Sequence, residues 1–424
     1  MLHPRTPSHA LDPLTTRSPW STHPPRGVRR LGAAVPALLA ALVMIIAAAL
    51  STATPARAAV PDKLPLTITN DTGRSGLYLY VLGVDLRTDE LGWVNAEGVF
   101  TPWSLPGGPV RVDAPDASIP GPADGASMTV DVPRNISGRV YFSFASKLDF
   151  GLVDAGLVQP APWNPTDDNA AILFDWSEFT FNDYGLWLNS TQVDQFAVPH
   201  TVSVTGDDGS SSTAGALKDG GRQKIIDTVE QTRGFEKTVV RGADGQVLRV
   251  LSPGKASGVD AMSATYLDDY IDEAWAAYTD KKLTVVPFAH EPETTFFGTT
   301  TGNELVFTNT AGEQVARFAK PTTANVWDCD GALAAPNDHV VGPISRTLCA
   351  GLHRGTLGES TQEPVDDASR FYQRDLTNHY SAIVHANMVD GRAYGFAFDD
   401  VTGQESLVHS GGPVKASIAL GSLD

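Results

Sequence analysis

Near the start of the chain the hydrophobic pattern is unbroken. Positions 31–50 are apolar apart from Gly32 and Pro36. Arg26, Arg29 and Arg30 precede this run, and Ala56-Arg57-Ala58 closes the stretch behind it. A positive segment, an apolar segment and a small-x-small tripeptide, in that order, predict an export signal cut before Ala59. From position 64 the pattern alternates in short bursts. Residues 64–69, 77–84, 110–112, 128–132 and 139–144 read as strands. Asn70-Asp71-Thr72-Gly73 reads as a turn, and Pro/Gly clusters at 106–109, 120–125 and 133–138 separate the later runs. Short strands with frequent turn residues predict an antiparallel sandwich or barrel.

The rhythm changes at the polar segment 206–212. In 222–232, Ile225, Ile226 and Val229 share one helical face. The longest helical stripe runs over 259–278 through Met262, Tyr266, Leu267, Tyr270, Ile271, Ala274, Trp275 and Tyr278. A strand at 283–288 and helices at 365–374 and 379–389 are predicted next. Residues 392–419 return to strand-like composition.

Composition narrows the classes. Gly (39) and Pro (29) are abundant without period, and 42% of residues are hydrophobic. That excludes collagen-like, coiled-coil and wholly disordered chains. The formal charge is −18, and removal of the arginine-bearing leader makes the remainder more acidic still. Such a surface repels phosphate backbones, so no nucleic-acid partner is expected. An uncharged sugar polymer is unaffected by that field. Cys329 and Cys349 are the only cysteines, and an even count in an exported chain predicts one disulfide.

Several chemistries lack their signatures. The sequence has no Gly-x-Ser-x-Gly elbow, no Walker loop and no Gly-x-Gly-x-x-Gly opening a helix. His290-Glu291 starts like a zinc-protease motif, but Thr294 stands where the second histidine belongs. A metal-dependent hydrolase using His290, Glu291 and Glu293 is therefore a minor alternative. Asp328, Asp330 and Gly331 do not continue with calcium-loop spacing. No metal or cofactor is expected.

The densest chemistry lies in 174–196. Period two puts Phe174, Trp176, Glu178, Thr180 and Asn182 on one strand face, with Ser177, Phe179 and Phe181 on the other. The first face combines a carboxylate, a hydroxyl, an amide and aromatic rings, a mixture suited to a saccharide. Asn182-Asp183-Tyr184-Gly185 reads as a turn. A second strand through 186–188 could bring Asp194 back beside Glu178. Glycoside hydrolysis needs two carboxyl groups, one to protonate the leaving oxygen and one to activate water or attack carbon. The same two residues could also be solvated strand positions.

The run 163–199 resembles the catalytic segment of glycoside hydrolase family 64. The resemblance extends to Leu64-Pro65-Leu66 with Thr69-Asn70, to Cys329-Asp330-Gly331 and Leu348-Cys349-Ala350, and to the run Tyr394-Gly395-Phe396-Ala397-Phe398-Asp399-Asp400-Val401. It covers about residue 64 to the C-terminus. It implies a mainly β protein with an α/β part: a thaumatin-like antiparallel β-barrel or sandwich joined to a mixed α/β domain, with a substrate groove between them. On that reading residues 1–58 are the leader, 59–205 with 391–424 the β domain, and 206–390 the α/β domain, with the disulfide inside it. The resemblance implies Glu178 as general acid and Asp194 as general base of an inverting endo-β-1,3-glucanase. Its products would be short oligosaccharides such as laminaripentaose. Thr180, Asn182 and Trp187 would line the groove. Trp176, Phe179 and Phe181 are expected to give Glu178 the apolar surroundings a proton donor needs. Asp167, Asp183 and Asp399 are the next carboxylates in line, read by default as turn or loop residues. The partner would be β-1,3-glucan, with no membrane contact after leader removal. The protein would be secreted and monomeric. The rival reading is a non-catalytic glucan-binding or antifungal protein on the same scaffold.

Overall fold

The computed structural model of the chain describes residues 60–423, and the predicted leader lies outside them. Strand Lys63–Asn70 alternates as its sequence demands, turning Leu64, Leu66 and Ile68 inward. It pairs antiparallel with Ala126–Pro133 and parallel with Pro413–Leu420, so distant parts of the chain meet in one sheet. His200–Gly206 and Ser211–Ala214 complete this five-stranded sheet.

A second, eight-stranded sheet runs Leu407–Ser410, Gly185–Asn189, Phe174–Asn182, Ile136–Phe144, Leu77–Asp85, Glu90–Val94 and Phe100–Pro102, with Ile119–Pro120 also pairing Leu77–Asp85. The two sheets bury one shared core. Leu66, Ile68, Val130, Val202 and Ile418 come from the first, and Leu79, Val140, Phe142, Phe179, Phe181 and Leu188 from the second. Each large side chain fully buried there contributes on the order of 1.5–3 kcal/mol. The sandwich is the form taken. Among the described residues neither sheet closes into a barrel, because the end strands of each order have no further strand neighbour. The sheets meet through side chains instead of through continuous pairing.

The opposite face of the eight-stranded sheet carries Tyr80, Leu82, Tyr141, Phe174 and Trp176. Trp103, Leu148, Phe150 and Leu152 cover that end of it. A further core lies in the intervening chain. It gathers Ile225, Ile226 and Val229 from helix Gly221–Gln231 and Tyr270, Ile271, Ala274 and Trp275 from Asp268–Ala277. Leu348 and Leu352 from Val341–Arg354 complete this set. Phe196, Ala393 and Phe396 also belong to this core. Two small sheets flank the helices, one of them formed by Gln314–Ala319, Glu304–Thr308, Phe296–Thr301, Leu283–Val285 and Gln362–Glu363.

Helical expectations fail in instructive places. The stripe 259–278 is helical only over Asp268–Ala277. Asp260 has a positive φ of 58°, and Ser263 accepts from the Thr265 amide, so local side-chain bonds displace the helix before it starts. Met262 and Leu267 still reach the same core from turns. In place of a helix at 365–374 there is one short turn, Ala368–Arg370, because Asp367 bonds the Ser369 amide and Tyr372 adopts φ 58°. The strand predicted at 283–288 stops at Val285, two residues before Pro287. Helix Val341–Arg354 was not foreseen. Gly342 and Gly351 weaken its local signal, yet it carries the buried Cys349 that bonds Cys329. No helix among the described residues is long and apolar enough to cross a membrane.

Candidate active site

Strands Phe174–Asn182 and Gly185–Asn189 form the predicted hairpin, and Asn182 Oδ1 accepts from the Tyr184 amide at 2.8 Å to fix the turn. Register then dictates which side chains share a face. Glu178 stands opposite Arg139 on one side and Asn189 on the other. One step along the same face, Thr180 stands between Ser137 and Trp187, and its hydroxyl bonds that of Ser137 at 2.8 Å. Trp187 lies opposite His409, and the two rings stack 4.3 Å apart. Asn182 closes the row at the turn, opposite Gly185. Thr180, Asn182 and Trp187 therefore lie on the face of Glu178.

Asp194 arrives differently from the sequence expectation. The returning strand ends at Asn189, and Asp194 lies past it, just before Gln195–Phe196. That short strand pairs with Val247–Leu251, and the Asp194 carbonyl accepts from the Ser252 amide at 3.1 Å. The two carboxylates still converge, on one cation. Arg139 Nη2 is 2.9 Å from Glu178 Oε1 and 3.9 Å from Asp194 Oδ2. Those two oxygens can be no further apart than the two legs together, a bound that the carboxyl spacings of inverting and of retaining glycosidases can both meet. Arg139 is itself fixed: it lies over the Trp176 ring at 4.8 Å and bonds Tyr141 and Gln159. Burial acts to lower the arginine, but Tyr141, Glu178 and Asp194 hold it above its ordinary value.

Asp194 has a second cation, Lys255 Nζ, at 3.3 Å from Oδ1. Burial acts to raise this carboxyl, and Lys255 and Arg139 outweigh it, leaving Asp194 below the usual carboxylate range. Lys255 also sits over the Trp163 ring at 4.6 Å. The loop bearing Trp163 is pinned by Arg249, whose guanidinium bonds the carbonyls of Pro162, Ala170 and Ile172. Burial pushes Arg249 down to about 10 against the pull of Asp175 and Asp167.

Glu178 on the strand face and Asp194 just beyond the hairpin meet across one arginine, with Trp176 and Trp163 close by. This meets the two-carboxyl requirement of glycoside hydrolysis, and wider comparison agrees. Residues 62–420 match the pattern of the glycoside hydrolase 64 β-1,3-glucanases. A glucan endo-1,3-β-glucosidase of Arthrobacter sp. (strain YCWD3) is 46% identical over 91% of this chain and 69% of its own length. One from Cellulosimicrobium cellulans matches equally well. The chain belongs to glycoside hydrolase family 64. It is therefore an enzyme, a glycosidase. The crystal structure of a laminaripentaose-producing β-1,3-glucanase in complex with laminaritetraose superposes with a TM-score of 0.83. That match has 47% identity and covers 86% of this chain and all of the other. A family 64 β-1,3-glucanase domain from Clostridium beijerinckii, at 24% identity over 86% of this chain and all of its own, shares the fold with a TM-score of 0.71.

Within this family 64 chain, the other expectations sort by geometry. Phe179 and Phe181 face the sandwich core, so of the three predicted aromatic neighbours only Trp176 shares the face of Glu178. Asp167 caps its own loop, accepting from the Ala161 and Asn169 amides. Asp183 is exposed at the hairpin turn, 3.3 Å from Arg134. Asp399 is fully buried between Arg354 at 3.0 Å and His385 at 2.8 Å. His290 is exposed, 3.6 Å from Glu291. Among the described residues the one grouping of three possible metal ligands is Cys329, Cys349 and His353, and the disulfide consumes both thiols. Sequence reasoning missed Arg139, Lys255 and His409. The first could have been found by pairing 139–144 with the Glu178 strand. Nothing local marks the other two.

Proposed function

We propose that the protein is a secreted endo-β-1,3-glucanase that hydrolyses its substrate by single displacement. The observation that carries this reading is the convergence of Glu178 and Asp194 on Arg139 within a family 64 chain. The names of its relatives, glucan endo-1,3-β-glucosidases, supply the substrate class. Glu178, with about a quarter of its side chain exposed, can take a proton from solvent and give it to the departing glycosidic oxygen. Asp194, kept ionised by Lys255 and Arg139, orients a water and removes its proton as the water attacks the anomeric carbon from the opposite face. One C–O bond forms, one breaks, and the configuration inverts. Trp187 offers a flat apolar ring to a pyranose face, and Thr180 and Asn182 offer hydrogen-bonding groups to its hydroxyls.

The sandwich is read as the thaumatin-like module that the family resemblance implies, and laminaripentaose as the main product. Secretion rests on the leader signal ahead of Ala59, and the Cys329–Cys349 disulfide suits an oxidising compartment. The test is to incubate the protein with linear β-1,3-glucan and size the soluble products over time, for the wild type, Glu178→Gln and Asp194→Asn. Discrete short oligosaccharides with pentamers dominant are expected from the wild type, and almost none from either variant, with glucan binding kept. Binding without cleavage by the wild type would move the protein to the non-catalytic reading.

A further inference from the structure

The ladder between Gln195–Phe196 and Val247–Leu251 ends in a rung that has a chemical consequence. Gln195 pairs with Leu251, and the next contact joins the Asp194 carbonyl to the Ser252 amide. The chain then turns at once into helix Pro253–Ser257, whose Lys255 reaches back to Asp194 Oδ1. Backbone register therefore places an ammonium against this carboxylate. The side chain is further confined by the Trp163 ring beneath it. We propose that Lys255 is the positioning residue for Asp194: it holds the carboxylate ionised and aimed at the attacking water, and so sets the acid side of the enzyme's pH range. This inference rests on the reading of Asp194 as general base.

The other charged and titratable groups around Asp194 are few. Arg139 and Tyr141 face it from strand Ile136–Phe144, Glu178 lies beyond Arg139, and Tyr380 approaches from helix His379–Asn387. Asp328 also acts on Lys255. Arg139 is shared with Glu178 and sits at 3.9 Å, whereas Lys255 is closer and is shared with no other catalytic group. Lys255 is thus the cation whose loss alters Asp194 while leaving the Arg139–Glu178 pair in place. The direction of the Asp194 shift agrees with this role.

The experiment compares kcat/KM against pH on soluble β-1,3-glucan oligosaccharides for wild type, Lys255→Met, Lys255→Gln, Lys255→Arg and Asp194→Asn, each checked for a cooperative thermal transition. Removing the ammonium raises the carboxylate pKa, so the acid limb should move to higher pH by about one unit in the Met and Gln variants. Lys255→Arg should restore the wild-type limb. Unmoved acid limbs in folded Met and Gln variants, with Asp194→Asn inactive, overturn the Lys255 role and leave the base assignment standing. A raised KM with an unmoved limb makes Lys255 a sugar contact and also overturns it. Near wild-type turnover by Asp194→Asn overturns the base assignment itself, and the Lys255 role falls with it.

Discussion

Nη2 of Arg139 lies 2.9 Å from Oε1 of Glu178, its directly opposed neighbour on the adjacent strand. The pairing is a consequence of sheet register, so it is preorganised by the fold before any sugar arrives. Removing the arginine leaves two carboxylates facing one site with no cation between them. Arg139→Met should therefore lower kcat/KM by about 100-fold or more, the scale expected for loss of proton-transfer geometry. Arg139→Lys should recover only part of this, because an ammonium lacks the planar fork that also reaches Tyr141 and Gln159. Steady-state kinetics on β-1,3-glucan oligosaccharides decide it, and wild-type kcat/KM in the Met variant would refute it.

The Trp187–His409 stack is expected to bind sugar without taking part in the chemistry. Trp187→Ala should raise KM about tenfold, corresponding to about 1.4 kcal/mol, with kcat changed less. His409→Ala should have a smaller effect in the same direction, because the imidazole backs the indole and bonds the Leu186 carbonyl across the strands. A fall in kcat at unchanged KM would place these rings in the reaction itself.

Cys329 caps helix Thr323–Asp328 and bonds Cys349 in helix Val341–Arg354, closing a loop with a sequence separation of 20. Replacing both cysteines by alanine should destabilise the fold by roughly 3 kcal/mol in the chain-entropy account. Turnover at low temperature should persist, since the bond joins two helices outside the hairpin that carries Glu178. Denaturant unfolding with and without the bond measures this.

Asp399 is predicted to act on stability. Its carboxylate sits between buried Arg354 and His385 and accepts from the Gly395 amide at 3.0 Å. Asp399→Asn leaves the arginine without its counter-charge and should cost about 3–5 kcal/mol. Burial acts to lower His385, but Asp399 and the Gly391 carbonyl outweigh it and hold it above its ordinary value. The histidine's share of this stabilisation is complete below about pH 6.5, the usual histidine range, and is lost as pH rises through the raised value. Chemical denaturation at several pH values should show that loss, and Asp399→Asn should abolish it.

How much was legible in the sequence depended on how local the signal was. The hairpin from Phe174 to Asn189 was readable because period-two alternation and the Asn182–Gly185 turn are both short-range. The position of Asp194 was not, because the strand ends at Asn189 and a different partner strand, Val247–Leu251, takes over. Arg139 was visible as a strand residue, but its role follows from register with a strand 39 positions later. Lys255 sits on a five-residue helix with no periodicity to find. The lost turns of helix before Asp268 show the reverse case. There an apolar stripe of helical spacing was real, but Ser263 and Asp260 bent the backbone away.

The most direct test of the two-carboxylate account is the anomeric form of the first product. Proton NMR should follow hydrolysis of a linear β-1,3-glucan oligosaccharide by the wild-type protein, before mutarotation sets in. Water activated by Asp194 and a leaving oxygen protonated by Glu178 predict the α-anomer first. Initial release of the β-anomer would mean that a carboxylate attacks carbon directly, and it would contradict the single-displacement roles assigned to this pair.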